Sequence, residues 1–354
     1  METNVYKQHT VGVVVPAHNE QGLVGTVIDT MPEFVDRIYV IDDRSDDGTW
    51  AEIQASAAKI NDTSQVRTTT AGETTDGAVI SDGGGAGSGL VVPVRHEVNK
   101  GVGGAIKTGY LRARADGIDV TAVMAGDGQM DPGQLHRLID PIVEGEADYA
   151  KGNRLSYPDY REGMSSWRLF GNSILTFLTK IASGYWKTMD PQNGYTAISG
   201  RALDAVGIED MYEYYGYCND LLVKLNAKNL RVADVAIPAI YGEEESGIKY
   251  GSYIRHVSVM LLLNFCWRLK TKYLVLDFHP LALFYLSGAA GSVLGIAGIG
   301  YTAVGSLAGT LAGSAFVSLM LSVIVFALGS LFVLFAMVFD MREGESLEVS
   351  IGGR

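Results

Sequence analysis

Three short clusters in the first half of the chain combine residue types that could do chemistry. Asp127 and Gln129, in the run Ala125-Gly126-Asp127-Gly128-Gln129, offer two hard oxygen donors spaced i and i+2. That pair suits Mg2+ or Mn2+, which accept few protein ligands and complete their shell from diphosphate and water. A turn-forming aspartate before Gly128 would leave the same pattern. Asp42-Asp43 follows one apolar run and Pro16-Ala17-His18-Asn19-Glu20 follows another. If the runs are neighbouring strands, all three clusters share the carboxyl edge of one sheet, where open α/β sheets bind their ligands. Carboxylates gathered there would meet a divalent cation and a nucleotide.

The elements needed to position them can be read from the pattern. Val11–Val15 is apolar, β-branched and ended by Pro16, as a buried parallel strand would be. Arg37–Ile41, Leu90–Val94 and Val120–Met124 read as three further strands, with Pro93 putting the third at a sheet edge. Helical spacing covers Glu20–Met31, with Asn19 as its N-cap, then Thr49–Ile60, Gly103–Ala115 and Pro132–Val143. Alternating strands and helices predict an α/β layer on a mainly parallel sheet. Residues 61–89, rich in Thr, Ser, Asp and Gly, read as a disordered surface insertion. A GxxxxGK[ST] loop is absent, which disfavours a P-loop NTPase. Gly101-Val102-Gly103-Gly104 lacks the acidic strand-end residue that follows a dinucleotide fingerprint about 20 positions on.

Composition narrows the class. The 354 residues are 47% apolar and 19% charged, with a net charge of −12. Such a chain can bury a core, and its acidity argues against nucleic acid as a partner. Two cysteines, Cys218 and Cys266, make neither a disulfide scaffold nor a zinc module. The acidic surface is like that of salt-adapted proteins. Pro280–Phe339 contains no Asp, Glu, Lys or Arg, about 60 residues where one membrane span takes about 20. The small-residue stretch Gly305–Ser314 divides it into two transmembrane helices, about 280–304 and 315–339 within 279–340. A buried helical hairpin in a soluble core is the alternative. Arg268, Lys270 and Lys272 precede the hairpin and Arg342 follows it, with no cation between the spans. Both ends are therefore expected in the cytoplasm, with residues 1–250 a cytoplasmic domain and 341–354 a cytoplasmic tail. Residues 1–10 are polar and show no signal-peptide pattern. Residues 251–278 mix an apolar stripe with Trp267, Tyr273 and basic residues, so they read as an interfacial amphipathic helix or as a linker helix packed on the domain.

The runs VVVPAHNE (Val13–Glu20), VIDDRSDDGT (Val40–Thr49), NKGVGGAIKTG (Asn99–Gly109) and VMAGDGQMDP (Val123–Pro132) together resemble glycosyltransferase family 2. GNRL (Gly152–Leu155), SWRLFGN (Ser166–Asn172) and DPQNGYTAIS (Asp190–Ser199) extend the likeness to its dolichyl- and polyprenyl-phosphate hexose synthases, the dolichyl-phosphate mannose synthase type. The resemblance implies a GT-A fold, a Rossmann-like mixed and mainly parallel sheet, here with a C-terminal two-helix transmembrane hairpin. It implies that Pro16, His18, Glu20 and Asp43 line a nucleoside pocket supported by Asp42, with His18 standing where many members carry Tyr. Asp127 and Gln129 match the metal-binding end of a DxDxQ pattern whose first Asp is Ala125 here. Arg154 and Arg168 match positions that hold an acceptor phosphate, with Asn172 in place of a hydroxyl residue, although surface ion pairs would also explain these arginines. Lys249, in the loop Gly242–Tyr253, stands where members supply an Arg to the leaving diphosphate. Asp190 and Asp220 remain as acidic candidates, Asp220 for positioning sugar.

The implied reaction is inverting transfer of a hexose from a UDP- or GDP-sugar to dolichyl or polyprenyl phosphate. It would depend on Mg2+ or Mn2+ and occur at the cytoplasmic face of a cell membrane, in a multi-pass protein touching lipid. The product would be a lipid-phosphate-linked sugar for protein N-glycosylation of an archaeal kind. A processive polysaccharide synthase would carry a QxxRW motif and more spans, and neither is found in these residues. A non-catalytic nucleotide-sugar-binding scaffold is the other alternative, suggested by Ala125.

Overall fold

The computed structural model describes residues 6–70, 90–155, 166–238, 250–311 and 314–351. Strands β1 (Val11–Ala17), β2 (Arg37–Asp42), β3 (Val91–Arg95) and β4 (Val120–Val123) run parallel. Helices α1 (Val24–Asp29), α2 (Thr49–Thr70) and α3 (Val102–Ala115) alternate with them. After α4 (Leu135–Val143) come β5 (Tyr149–Asn153), α5 (Ser166–Ser183), β6 (Thr196–Ser199), α6 (Gly200–Ala205), α7 (Tyr217–Ala227) and β7 (Val232–Ala236). The chain then forms α8 (Tyr250–Lys270), α9 (Pro280–Leu307), α10 (Ala315–Gly344) and β8 (Glu348–Ile351). All eight strands join one sheet in the order β3-β2-β1-β4-β6-β5-β7-β8. β6 alone runs antiparallel, against β4 and β5. The expected α/β layer with a mainly parallel sheet is therefore present.

Both faces of the sheet are covered, which is why its strands read as continuous apolar runs. Val11, Val13 and Val15 turn to one side, against Val24 and Ile28 of α1 and Leu138 and Ile139 of α4. Val14 turns to the other, with Ile106 and Tyr110 of α3 and Leu221 and Leu222 of α7. Gly109 lets α3 lie directly on β1, because a β-carbon there would overlap the Val14 side chain. Pro93 does occupy an edge strand, and its exposed position leaves the missing N–H without cost.

Two local expectations fail. Asn19 is no helix cap: it adopts a left-handed φ of 57°, its side-chain oxygen accepts from the Asp46 amide at 2.9 Å, and α1 starts only at Val24. α2 does not stop at Ile60 but continues to Thr70, so residues 61–70 belong to a helix rather than to the insertion. Asn61 explains the continuation, since its amide both donates to and accepts from the Val91 backbone at 2.9 Å and so staples the helix to edge strand β3. The rest of the expected insertion, 71–89, lies outside the described residues.

α9 and α10 form an antiparallel hairpin, each long and apolar enough to cross a membrane. Glycines at 288, 291, 295 and 329 bring their backbones together, while Leu294, Val304, Phe316 and Val317 point outward and are exposed. Little of either helix is covered by the rest of the chain, unlike a soluble core hairpin. α8 packs on the domain along one side. Val257, Met260 and Leu261 pack on Leu175 and Ala182 of α5 and Val223 of α7, whereas Leu262, Leu263 and Trp267 on its other side are exposed. A π-helical turn, Thr271–Leu276, then leads to the hairpin.

The hairpin is clamped to the sheet domain. Arg268, fully buried at the end of α8, donates through Nη1 and Nη2 to both oxygens of Asp340 on α10, at 2.9 and 2.7 Å. It also donates to the Ile181 and Ala182 carbonyls at the end of α5 and to Asn226 on α7. Tyr273 donates its hydroxyl to Asp340 at 2.8 Å. The segment expected as a tail, 341–354, is not a free tail within its described part. β8 pairs parallel with β7, Val232 opposite Glu348 through Val235 opposite Ile351.

Candidate active site at the carboxyl edge

The three chemistry-bearing clusters do share one edge. The Asp43 amide donates to the Ala17 carbonyl at 2.9 Å, and the Gly126 amide donates to the Pro16 carbonyl at 3.0 Å. These bonds splice the turns after β2 and β4 onto the end of β1. The antiparallel β6 delivers residues 190–195 to the same edge, because its amino end lies beside the carboxyl ends of its neighbours. Tyr195 donates its hydroxyl to the Asp131 carbonyl at 2.8 Å, which ties that segment to the turn carrying Asp127.

Among the residues expected to line a nucleoside pocket, Pro16 is buried within β1 opposite Ile41. His18 is exposed, with the Asn99 amide nitrogen 3.4 Å from its ring nitrogens. Glu20 is half-buried and its amide donates to the Thr49 hydroxyl. Asp42 is fully buried, accepts from the Ser45 amide at 3.0 Å and lies 3.0 Å from Arg95 Nε in an ion pair. Asp43 accepts from His96 Nδ1 at 2.7 Å and from the Lys100 amide at 2.9 Å. Burial pushes the Asp43 carboxyl up, but these hydrogen bonds outweigh it and hold the group below its ordinary value. His96, whose Nε2 lies 2.9 Å from the Thr108 hydroxyl, is a buried residue that the sequence reading passed over. Its signal was its place just past β3, at the same edge as Asp42.

Asp127 and Gln129 form one turn, Gly128 at φ 73° between them, in which Asp127 Oδ1 accepts from the Gln129 amide at 3.0 Å. The turn-forming role is thus present, one carboxylate oxygen of Asp127 serving the turn. Among the described residues no group of three His, Cys, Asp or Glu could hold a metal. The donor set fits a cation that takes two protein oxygens and draws the others from diphosphate and water, as Mg2+ does.

The residues expected to hold an acceptor phosphate begin with an ion pair. Arg154, just past β5, donates Nε and Nη2 to Asp190 at 2.7 and 2.9 Å, and its own amide donates to the same carboxylate at 3.1 Å. Asp190 is fully buried with a left-handed φ of 48°. Burial pushes its carboxyl up, but Arg154 and Lys151 outweigh that and hold it below the usual range, so the pair is ionised. Lys151, a second buried cation the sequence reading missed, donates to Asp234 at 2.6 Å and to the Met189 carbonyl. Arg168 and Asn172 lie on the first turns of α5, and their side chains are outside those described. Lys249 lies outside the described residues altogether. Asp220 is buried, accepts from the Tyr212 amide, Lys224 and Asn264, and ties α7 to α8.

Residues 82–207 match the family model described as Glycosyl transferase family 2. The chain carries a glycosyltransferase family 2 domain. Among curated relatives of this glycosyltransferase, the UDP-N-acetylglucosamine–dolichyl-phosphate N-acetylglucosaminyltransferase of Methanococcus voltae is 28% identical over 258 residues, covering 73% of this chain and 93% of that protein. The polyprenol monophosphomannose synthase of Mycolicibacterium smegmatis is 27% identical over 256 residues, 69% of this chain and 82% of that protein. Glucosyl-3-phosphoglycerate synthase from Mycobacterium tuberculosis, crystallised with Mn2+, uridine diphosphate and glucosyl-3-phosphoglycerate, superposes with a TM-score of 0.51 at 20% identity. It aligns with 73% of this chain and 80% of that chain, a likeness of fold. The GT-A-like sheet of this chain and its two candidate spans agree with the fold class expected from the sequence.

Proposed function

We propose that this glycosyltransferase moves a hexose, or an N-acetylhexosamine, from a nucleotide sugar to the phosphate of dolichol or another polyprenol, with inversion at the anomeric carbon. The observation that carries this reading is the meeting, at one sheet edge, of the Asp127 turn with the Arg154–Asp190 pair in a domain clamped to an apolar hairpin. Relatives named for dolichyl and polyprenyl phosphate support the acceptor class.

In the proposed step, an oxygen of the lipid phosphate attacks the anomeric carbon, and the bond to the nucleoside diphosphate breaks with its electron pair on the diphosphate oxygen. The phosphate nucleophile is already ionised at neutral pH, so the site needs no strong base. Pro16, His18, Glu20 and Asp43 would hold the nucleoside, with Asp42 behind them. Arg154 would orient the acceptor phosphate, joined by Arg168 and Asn172 on α5, because guanidinium forks match phosphate oxygens. Lys249 would meet the leaving diphosphate. Asp127 and Gln129 would hold Mg2+ or Mn2+, which when bound offsets charge on that diphosphate. Both hairpin ends would face the cytoplasm, with the domain on that side of a cell membrane and the product available for protein N-glycosylation. The test is transfer of labelled sugar in membranes containing the full chain, offering UDP-N-acetylglucosamine, UDP-glucose and GDP-mannose with dolichyl phosphate. Label in the lipid fraction from one donor supports the reading, and none from any donor refutes it.

A further inference from the structure

Three successive backbone amides, of Trp186, Lys187 and Thr188, donate to the carboxylate of Glu348 at 2.8, 2.7 and 2.8 Å, and the Thr188 hydroxyl adds a fourth contact at 3.2 Å. Concave runs of amides like this bind anions, and here the anion belongs to the chain itself. Glu348 opens β8, which follows the second membrane helix and adds the last strand to the sheet. The segment it grips continues directly into Met189, whose carbonyl accepts from buried Lys151, and Asp190, which holds Arg154. Asp190 keeps a left-handed φ that a non-glycine residue adopts only when its surroundings impose it. Glu348 fixes that segment on its upstream side. On the downstream side the Asn193 amide donates to the Asp190 carbonyl at 3.1 Å.

We infer that Glu348 is a positioning residue for the acceptor phosphate: by seating residues 186–188 it sets Asp190, and through Asp190 the Arg154 guanidinium. The end of the membrane hairpin thereby becomes part of the acceptor site, so a lipid-borne phosphate meets an arginine aligned by the anchor that sits in the same bilayer. The inference rests on the reading of Arg154 as the acceptor-phosphate ligand. A carboxylate serving only to hold the sheet edge would affect both substrates alike.

The test is a double-mutant cycle on the full chain in detergent with dolichyl phosphate, measuring KM for lipid and for nucleotide sugar separately. Glu348→Ala is expected to raise the lipid KM roughly tenfold with the nucleotide-sugar KM unchanged, the size of one lost charged contact. In an Arg154→Ala background the same change is expected to add nothing. A rise of equal size in both backgrounds, or an unchanged lipid KM in Glu348→Ala beside a raised one in Arg154→Ala, overturns the inference alone. An unchanged lipid KM in Arg154→Ala overturns the acceptor reading and the inference with it. If Glu348→Ala also loses nucleotide binding, the fault is in folding. Glu348→Gln, which keeps an accepting oxygen, then takes its place in the cycle and is judged by the same outcomes.

Discussion

Asp190 grips Arg154 through both carboxylate oxygens, from a buried position and a left-handed backbone, at the edge that also carries Asp127. A paired arginine is oriented rather than idle, because the Nε and Nη2 edge is fixed and the guanidinium plane with it. Asp190→Asn keeps the shape and loses the charge. The lipid-phosphate KM should rise by roughly ten- to a hundredfold, the equivalent of about 1.5–3 kcal/mol for a charged hydrogen bond, with the nucleotide-sugar KM nearly unchanged. Steady-state kinetics with each substrate varied in turn checks this, and an equal loss on both would count against it.

The Asp127 turn supplies one carboxylate where Ala125 withholds a second. Asp127→Ala should abolish the gain in nucleoside diphosphate affinity that Mn2+ confers, as read by titration calorimetry. Ala125→Asp should lower the Mn2+ concentration at half-maximal activity several-fold, since ligand charge sets affinity at such sites. Wild-type activity unaffected by chelator would contradict the assignment.

Arg268 and Asp340 form a fully buried pair between α8 and α10. Breaking it leaves an uncompensated charge, so Asp340→Ala should cost about 3–5 kcal/mol. Replacing both partners, Arg268→Met with Asp340→Leu, should recover most of that loss. Thermal unfolding of the detergent-solubilised chain measures both. A double variant no more stable than the single one would show that the clamp acts through something other than charge compensation.

Lys272 is buried beside Arg268, and burial foremost, then that positive neighbour, lowers its pKa from 10.5 to about 8. Its amine donates to the Asn226 carbonyl and side chain at 3.1 and 2.9 Å. Between pH 8 and 10.5 the unfolded chain keeps a proton that the folded chain has released, so stability rises with pH through this window. Below pH 8 the full penalty of burying the charge applies. The stability difference between wild type and Lys272→Met should therefore shift in favour of wild type by about 3 kcal/mol across that window. A difference that does not change with pH would refute the assignment.

Much of this was legible in the sequence, for identifiable reasons. β1 to β4 announce themselves because both sheet faces are buried, and a strand covered twice must be apolar throughout. The clusters after β1, β2 and β4 then follow from chain direction alone. What the sequence hid depends on distant partners. Glu348–Ile351 is too short to read as a strand, and only the open edge of β7 makes it one. Arg268 looked like a cation flanking a membrane span, yet Asp340 lies 72 positions away and converts it into a buried anchor. Arg154 stood out by its motif, but its partner at 190 comes to it only through the antiparallel return of β6.

Phosphorus NMR of the full chain with nucleotide sugar and dolichyl phosphate reports directly which bond of the donor breaks. Attack at the anomeric carbon should convert the lipid phosphomonoester signal into a phosphodiester, with one nucleoside diphosphate released per lipid consumed. Release of nucleoside monophosphate with a lipid-linked diphosphate signal would mean that sugar phosphate, not sugar, had moved, and would contradict the proposed step.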